Sequence, residues 1–498
     1  MNIIRPKHPL RWLYVFAVAA LLSVLLAHWA YDDPFITYRY AHNLGNGLGF
    51  VYNPGERVLS TTTPLLALLL APFAAIGFDL HVLANLIGAL SLAVGGLLLW
   101  DLARTWQTPW VGWAGLLIYP FFPLVLSTMS SETPLYLALC LAAFAGYARR
   151  RYTLTALACA LAGLARPDAL LVPAILAAHS LITNLSILRS SNFNRAAFQP
   201  AFIFAAILLA WAIFAWAYFG SPIPVTLAAK QSQGAMEISQ KFHVGLLTIV
   251  RYYTAWPYLL EAGLAVVGLA LLAWKKRTWL LFIAWPVSYF VAYTLLGVSR
   301  YFWYYAPLVP GFVVLVGLGL EGVAGGKGQV AGGKGQGEDQ RASPAPFNLS
   351  TFNFLAAILL ILLGAVHIRN LFNLPQHIDR RYAIYRAAGE WLAQNTPPEA
   401  SVGTLEVGIL GYYARRPVVD FAGLIQPEVA RQMGAASTYE DTALWAAERY
   451  HPDYVVLFPG SLARFEQAYV AVRCQPAQTF LASDYNGPGD LIIYHCNP

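Results

Sequence analysis

Apolar runs close to twenty residues long recur through the first three quarters of the chain, and a helix needs about 20 such residues to cross a bilayer. The pattern predicts eleven spans, near 11–30, 80–100, 110–128, 133–148, 152–165, 169–183, 200–219, 256–274, 278–297, 301–320 and 352–371. The fifth and sixth are short and share a polar corner at Arg166-Pro167-Asp168. Residues 64–78 are apolar but too short to cross, so they read as an interfacial or re-entrant piece. Beyond 374 the period changes. Arg381–Gln394 has helical spacing, and Glu440–Tyr450 and Ser461–Gln467 read as helices. Val418–Asp420, Tyr454–Phe458, Tyr469–Cys474 and Leu491–Cys496 read as short strands. The expected architecture is a polytopic helical membrane domain over 1–374 followed by a small α/β domain over 375–498, outside the membrane.

Composition agrees. Hydrophobic residues make up 58% of the chain, charged residues 11%, and the mean hydropathy is +0.53. A soluble domain carries about 25% charge, so a soluble or disordered protein is excluded. Residues 1–374 hold 23 basic and 12 acidic side chains, a net of +11, and 375–498 hold 9 arginines and 13 acids, a net of −4, which together give the +7 of the chain. The basic excess lies in the membrane part and implies orientation and lipid contact, with no nucleic-acid signature.

With a cytoplasmic N-terminus, the inner segments carry Arg5 and Lys7, Arg104, Arg149 to Arg151, Arg189 and Arg195, Lys275 to Arg277, then Lys327, Lys334 and Arg341. Every inner segment is then basic, as the positive-inside rule asks. The C-terminal domain falls on the extracytoplasmic side. The first span reads as retained and not as a cleaved signal. Within 321–351, Val323–Gln329 is repeated as Val330–Gln336, with eight glycines over 322–337, which predicts a flexible cytoplasmic linker. Cys140 and Cys159 read as small apolar fillers in spans. Cys474 and Cys496, at the ends of two predicted strands on the oxidising side, are expected to form a disulfide. No cysteine or histidine spacing suits a metal, and no cofactor is indicated.

The polar motifs gather on the outer side. Asp32-Asp33-Pro34 follows the first span; paired carboxylates at a membrane boundary either serve as a general base or cap a helix. Ser130-Ser131-Glu132-Thr133-Pro134 opens the fourth span. Arg166, Lys230 and Arg300 all face the same side, where they either clamp a lipid phosphate or snorkel to the interface.

The run from Asp32 to Val58, DDPFITYRYAHNLGNGLGFVYNPGERV, resembles the first external loop of bacterial GT-C superfamily glycosyltransferases, and most of all the group that includes the mycobacterial terminal arabinofuranosyltransferases. SSETPLYLAL, LARPDALL, YFGSPIPVTLAAK and VGILGYYARRPVVDFAGLIQPEVAR are similar to that group's segments, in order, over residues 31 to about 431. The resemblance implies a transferase that uses a polyprenyl-phosphate sugar on the extracytoplasmic face of a bacterial cytoplasmic membrane and passes the sugar to a glycan, lipid or protein acceptor. Asp33, partnered by Asp32, becomes the catalytic base. Lys230 and Arg166, with Arg300, become the donor-phosphate ligands, and Tyr38, Arg39, Glu132 and Asp168 become substrate-binding residues. Glu406 and Asp420 are the external domain's polar candidates for holding the acceptor. Two runs depart from the group: Ser60-Thr61-Thr62-Thr63 stands for glycine-tyrosine-threonine-asparagine, and Pro224-Val225-Thr226 for proline-asparagine-threonine. Arabinose is therefore not carried over as the sugar.

The alternative is a transporter or flippase of a lipid-linked sugar. Such a protein places ionisable groups at mid-membrane and often repeats its halves. Here Glu261 is the acid nearest a span interior, and no half-repeat is found. A membrane scaffold would leave the Asp pair and the one-sided cations without a role.

Overall fold

The computed structural model describes residues 9–183, 195–237, 239–325 and 351–496. The glycine-rich linker beyond Gly325, with Lys327, Lys334 and Arg341, lies outside the described residues, as do Arg5, Lys7, Arg189 and the side chain of Arg195.

The helical part runs α1 (Pro9–Leu25), α2 (Asp33–Gly45), α3 (Pro64–Ala75), α4 (Leu80–Thr105), α5 (Pro109–Leu117), α6 (Pro123–Leu126), α7 (Thr133–Ala148) and α8 (Tyr152–Ala165). It continues as α9 (Leu171–Thr183), α10 (Arg195–Phe219), α11 (Thr226–Ala235), α12 (Phe242–Arg251), α13 (Trp256–Trp274), α14 (Leu280–Leu296), α15 (Val309–Val323) and α16 (Thr351–Asn373). Among the described residues, six helical stretches are long and apolar enough to cross a membrane, and several shorter apolar helices are present with them. The chain is a multi-pass membrane protein.

Each predicted span has a helical counterpart, but the run 110–128 is broken. It splits into α5, a 3-10 turn at Tyr119–Phe121 and α6. Pro120 and Pro123 lack the N–H that a continuous helix needs. The loop expected over 31–63 contains a helix, α2, opened by Pro34 at its first turn. Nine of its 13 residues are buried, because α2 is sandwiched between the bundle and the C-terminal domain.

Small residues let the spans approach closely. A Cβ on Gly268 of α13 would lie 1.9 Å from the carbonyl oxygen of Leu315 in α15. At one end of the bundle the carboxylate of Asp101, closing α4, meets Arg11 of α1 and Arg149 after α7, the latter at 3.0 Å. The Trp110 N–H donates to Glu321 of α15 at 2.9 Å at that same end. The segments expected on the inner side thus come together, and the motif-bearing segments occupy the opposite end.

The C-terminal domain comprises α17 (Arg381–Asn395), β1 (Val402–Thr404), α18 (Ile409–Ala414), β2 (Val418–Asp420), α19 (Pro427–Ala430), α20 (Tyr439–Tyr450), β3 (Tyr454–Leu457), β4 (Cys474–Phe480) and β5 (Leu491–Cys496). Its five-stranded mixed sheet has the order β2-β1-β3-β5-β4. The first three strands run parallel, and β5 is antiparallel to both β3 and β4. The expected strand Tyr469–Cys474 is corrected: residues through Arg473 are helical and Cys474 opens β4. That strand was missed because CQPAQTF has a proline and mostly exposed side chains, which an edge strand with a bulge tolerates. Cys474 pairs with Cys496 across β4 and β5, and the two are joined by a disulfide.

The two parts are tied together. Asn53 exchanges hydrogen bonds with the backbone of Val418 in β2, at 2.9 and 3.0 Å, and the Tyr52 hydroxyl donates to the Val407 carbonyl at 2.5 Å. One buried apolar cluster runs from Phe35 and Leu66 through Ala388 and Leu410 to Ile493.

Candidate active site

A cavity of about 410 Å³ opens where the motif-bearing helix ends meet the C-terminal domain. Asp33 at the start of α2, Glu132 before α7, Arg166 after α8 and Lys230 in α11 line it, and Leu424 of the C-terminal domain covers one side. Its membrane-domain walls come mainly from the start of α2, the segments before α7 and after α8, the end of α14, and α11.

The adjacent carboxylates diverge. Asp33 faces the cavity and its Oδ2 lies 3.0 Å from Nζ of Lys230. Asp32 turns away. Its two carboxylate oxygens accept the backbone N–H groups of Gly408 and Ile409, each at 2.8 Å, and so cap the start of α18, 376 residues on. Burial, and next to it the charge of Glu406, push the Asp32 carboxyl well above the usual range, while those two N–H groups pull it down. The cap reading thus fits Asp32, although the helix it caps belongs to the other domain.

Lys230 sits in an aromatic box. Its ammonium is 4.8 Å from the ring centre of Tyr301 and 5.4 Å from those of Trp303 and Tyr304. Asp33 is its one ion-pair partner among the described residues. An ammonium has three donors; one goes to Asp33 and one is shared with the Tyr304 hydroxyl, which leaves one for an incoming anion. Arg166 differs. Its guanidinium grips Asp168 through Nε and Nη2, the latter at 2.7 Å, reaches Thr133 and Tyr293, and lies 3.5 Å from Glu132. Tyr293 also donates to Asp168 at 2.5 Å. Arg166 is therefore the hub that fixes Glu132, Asp168 and Tyr293 in the wall. Burial raises the Glu132 carboxyl above its ordinary value, and Arg166 opposes that shift. Among the described residues no group of three or more His, Cys, Asp or Glu is placed to hold a metal.

Several residues expected at the site lie elsewhere. Tyr38 is fully buried and donates to the Ser130 carbonyl. Arg39 is 3% exposed and spends its donors on the carbonyls of Tyr52, Gly411 and Arg416. Both fasten α2 and are not among the residues lining the cavity. Arg300 is exposed and bound to Gln240 at 2.8 Å, outside the cavity. Glu406 pairs with Arg381. Burial raises its carboxyl, with Arg381 acting against that. Asp420 is wholly buried and accepts the N–H groups of Ala422 and Ile425 at 2.7 and 2.8 Å. It shapes the turn that carries Leu424 to the cavity. Burial pushes its carboxyl up to about 6.

Sequence reasoning did not single out Thr37 or the aromatic residues Tyr293, Trp303 and Tyr304 that line the cavity. Thr37 lies four residues after Asp33, so reading 33–45 as a helix would have put both on one face. The Tyr301-Phe302-Trp303-Tyr304 run was a visible aromatic cluster beside Arg300.

A family model described as a domain of unknown function (DUF8728) matches residues 376–494. No curated protein matches the chain. Among solved structures, ArnT from Cupriavidus metallidurans bound to undecaprenyl phosphate superposes with a TM-score of 0.61 at 13% identity, covering 98% of both chains. The Archaeoglobus fulgidus oligosaccharyltransferase tethered with an acceptor peptide gives 0.59 at 14% identity, covering 99% of this chain and 75% of that one. Its apo form gives 0.55 at 16%, over 91% and 70%. At these identities the likeness is one of fold. The protein is a multi-pass membrane protein with a GT-C-like fold.

Proposed function

We propose that the protein is a glycosyltransferase that moves a sugar from a polyprenyl-phosphate donor to a cell-envelope glycan, lipid or protein acceptor at the extracytoplasmic face of a bacterial cytoplasmic membrane. Its kin would be the group of the mycobacterial terminal arabinofuranosyltransferases. The observation that carries this reading is the pairing of Asp33 with Lys230 on the wall of the cavity, at 3.0 Å. A base and a cation with a donor to spare stand together at one end of the bundle.

In the reaction the acceptor hydroxyl oxygen attacks the anomeric carbon. The bond from that carbon to the phosphate oxygen breaks, and its electron pair leaves with the polyprenyl phosphate. The hydroxyl proton passes to Asp33. Lys230 takes the phosphate, and its charge stabilises the anion as it forms. Arg166 positions Glu132 and Asp168. The apolar rim made by Pro222, Ile223, Leu227 and Leu296 suits the first isoprene units. A solved protein of the same fold is bound to undecaprenyl phosphate, which supports a lipid-phosphate ligand here. A transporter would need a path to the other end, whereas the cavity's charged groups all lie at this one.

The test is transfer from a panel of synthetic polyprenyl-phosphate sugars to envelope acceptors by the purified protein in liposomes. Product formation that depends on Asp33 supports the reading. Movement of the intact lipid-linked sugar across the bilayer, without bond cleavage, would sink it.

A further inference from the structure

One wall of the cavity is made of neutral hydroxyls. The Thr37 hydroxyl lies 3.0 Å from those of Thr61 and Thr63, which are 3.2 Å from each other. Thr61 also accepts the backbone N–H of Thr63 at 3.2 Å. Each hydroxyl brings one proton and two lone pairs. A closed ring of three consumes the three protons and three lone pairs, and the Thr63 N–H takes a fourth. Lone pairs remain on Thr37 and Thr63, so the ring offers acceptors to a ligand's O–H groups, and opening one ring bond would free a hydroxyl to donate.

A second hydroxyl stands nearby without a partner. Thr226 lines the cavity, is 5% exposed, and its buried Oγ1 has no hydrogen-bond partner among the described residues. The Val225 N–H donates to the Leu59 carbonyl at 2.9 Å, which fastens this turn beside the Ser60–Thr63 segment. Buried polar groups are almost always satisfied, and a ligand is one way of satisfying this one.

The spacing relates this wall to the reacting groups. Thr37 lies one helical turn after Asp33 in α2, and Thr226 lies one turn before Lys230 in α11. A sugar whose phosphate rests at Lys230 and whose anomeric carbon faces Asp33 would lie along these hydroxyls. Each carboxylate in the cavity is already within ion-pair reach of a cation: Asp33 of Lys230, and Glu132 and Asp168 of Arg166. Arg166 is shared between Glu132 at 3.5 Å and Asp168 at 2.7 Å, so a sugar ammonium would have to compete with a cation for any of the three carboxylates, and a sugar carboxylate would compete with the phosphate for Lys230.

We propose that Thr37, Thr61, Thr63 and Thr226 form the donor-sugar subsite, and that it selects an uncharged, hydroxyl-rich pentose or hexose over amino sugars and uronic acids. The proposal rests on the polyprenyl-phosphate reading of the same cavity.

The test measures binding to the full-length protein in lipid nanodiscs. The probes are polyprenyl phosphate alone and the same lipid carrying a neutral pentose, a neutral hexose, an amino sugar or a uronic acid. At least one neutral donor should bind about 10-fold tighter than the bare phosphate, the gain of a hydrogen bond or two. The charged donors should show no such gain. Thr63→Val and Thr226→Val should bind the bare phosphate as the parent does, which also shows that they fold, and should lose the sugar's gain. An equal or larger gain for a charged donor, no gain for any neutral one, or a gain that survives both variants overturns the subsite while leaving the phosphate site standing. Failure of bare polyprenyl phosphate to bind overturns the reading beneath it, and the subsite falls with it.

Discussion

Asp32 and Asp33 are chain neighbours whose carboxylates serve different bodies of the protein. Asp33 meets Lys230 in the cavity, and Asp32 holds the N–H groups of Gly408 and Ile409 in the C-terminal domain. Successive residues at a helix start point about 100° apart, so a cap on one side and a base on the other need no further device. The cap also ties the domain that covers the cavity to the helix that carries the base.

Asp32→Asn should therefore act on stability. The amide keeps one acceptor and turns an N–H₂ group towards a backbone N–H. A buried donor left without its partner costs about 1–3 kcal/mol. Hydrogen exchange over 408–414 should speed up, and the melting temperature should fall. Unchanged protection there would show that the cap does not hold the domain.

Lys230→Ala and Arg300→Ala should separate two cations that the sequence placed together. Loss of a charge-assisted contact of about 1.5–3 kcal/mol weakens polyprenyl-phosphate binding roughly 10- to 150-fold for Lys230. Arg300 is exposed and bound to Gln240, so its removal should change binding less than twofold. Isothermal titration or native mass spectrometry reads both. The reverse ranking would move the phosphate site.

The apolar runs made the membrane helices legible, because a length near 20 residues and a lack of charge are local properties. The ends of α7, α8 and α13 were readable to the residue for the same reason. Helix α2 was not, since its tyrosines, Arg39 and Asn43 look like a polar loop until the C-terminal domain buries them. That burial also made Arg39 and Tyr38 look like ligand residues. Sequence shows a charged or phenolic side chain near a motif, but not that distant carbonyls at Gly411, Arg416 and Ser130 already satisfy it. Strand β1 was invisible because Val402-Gly403-Thr404 has a glycine at its centre, which strands disfavour, and β4 because an exposed edge strand carries no alternation.

The Cys474–Cys496 bridge closes a loop of 22 residues at the sheet edge. By chain entropy such a loop contributes about 3 kcal/mol. Cys496→Ser, or reduction in detergent, should destabilise β4 and β5 first, seen as faster exchange of their amides. Protection unchanged by reduction would mean that the edge is held by its other contacts.

Asp420 ties stability to pH. Its carboxyl is raised from the ordinary 3.8 to about 6. Between these values the unfolded chain has released the proton and the folded one still holds it. Its contribution is fully present below 3.8 and is lost as pH rises towards 6, on the order of 3 kcal/mol in all. Melting of the parent should fall over this window relative to Asp420→Asn, which has no proton to lose there. Parallel curves for the two proteins from pH 4 to 6.5 would place the proton elsewhere.

Asp33→Asn separates chemistry from binding. The amide is nearly isosteric, so the cavity keeps its shape, and Lys230 loses its one anionic partner among the described residues. Binding of polyprenyl phosphate should be kept or strengthened, because the ammonium no longer divides its charge between Asp33 and the phosphate. Turnover should fall by about 10²–10⁴-fold, the usual worth of a positioned base. The fall should appear in kcat with donor KM unchanged or lower, the pattern of an interaction made in the transition state. A fall confined to KM would make Asp33 a binding residue. Near-normal turnover would remove the base from this carboxylate and leave the Asp33–Lys230 pair a structural tie between α2 and α11.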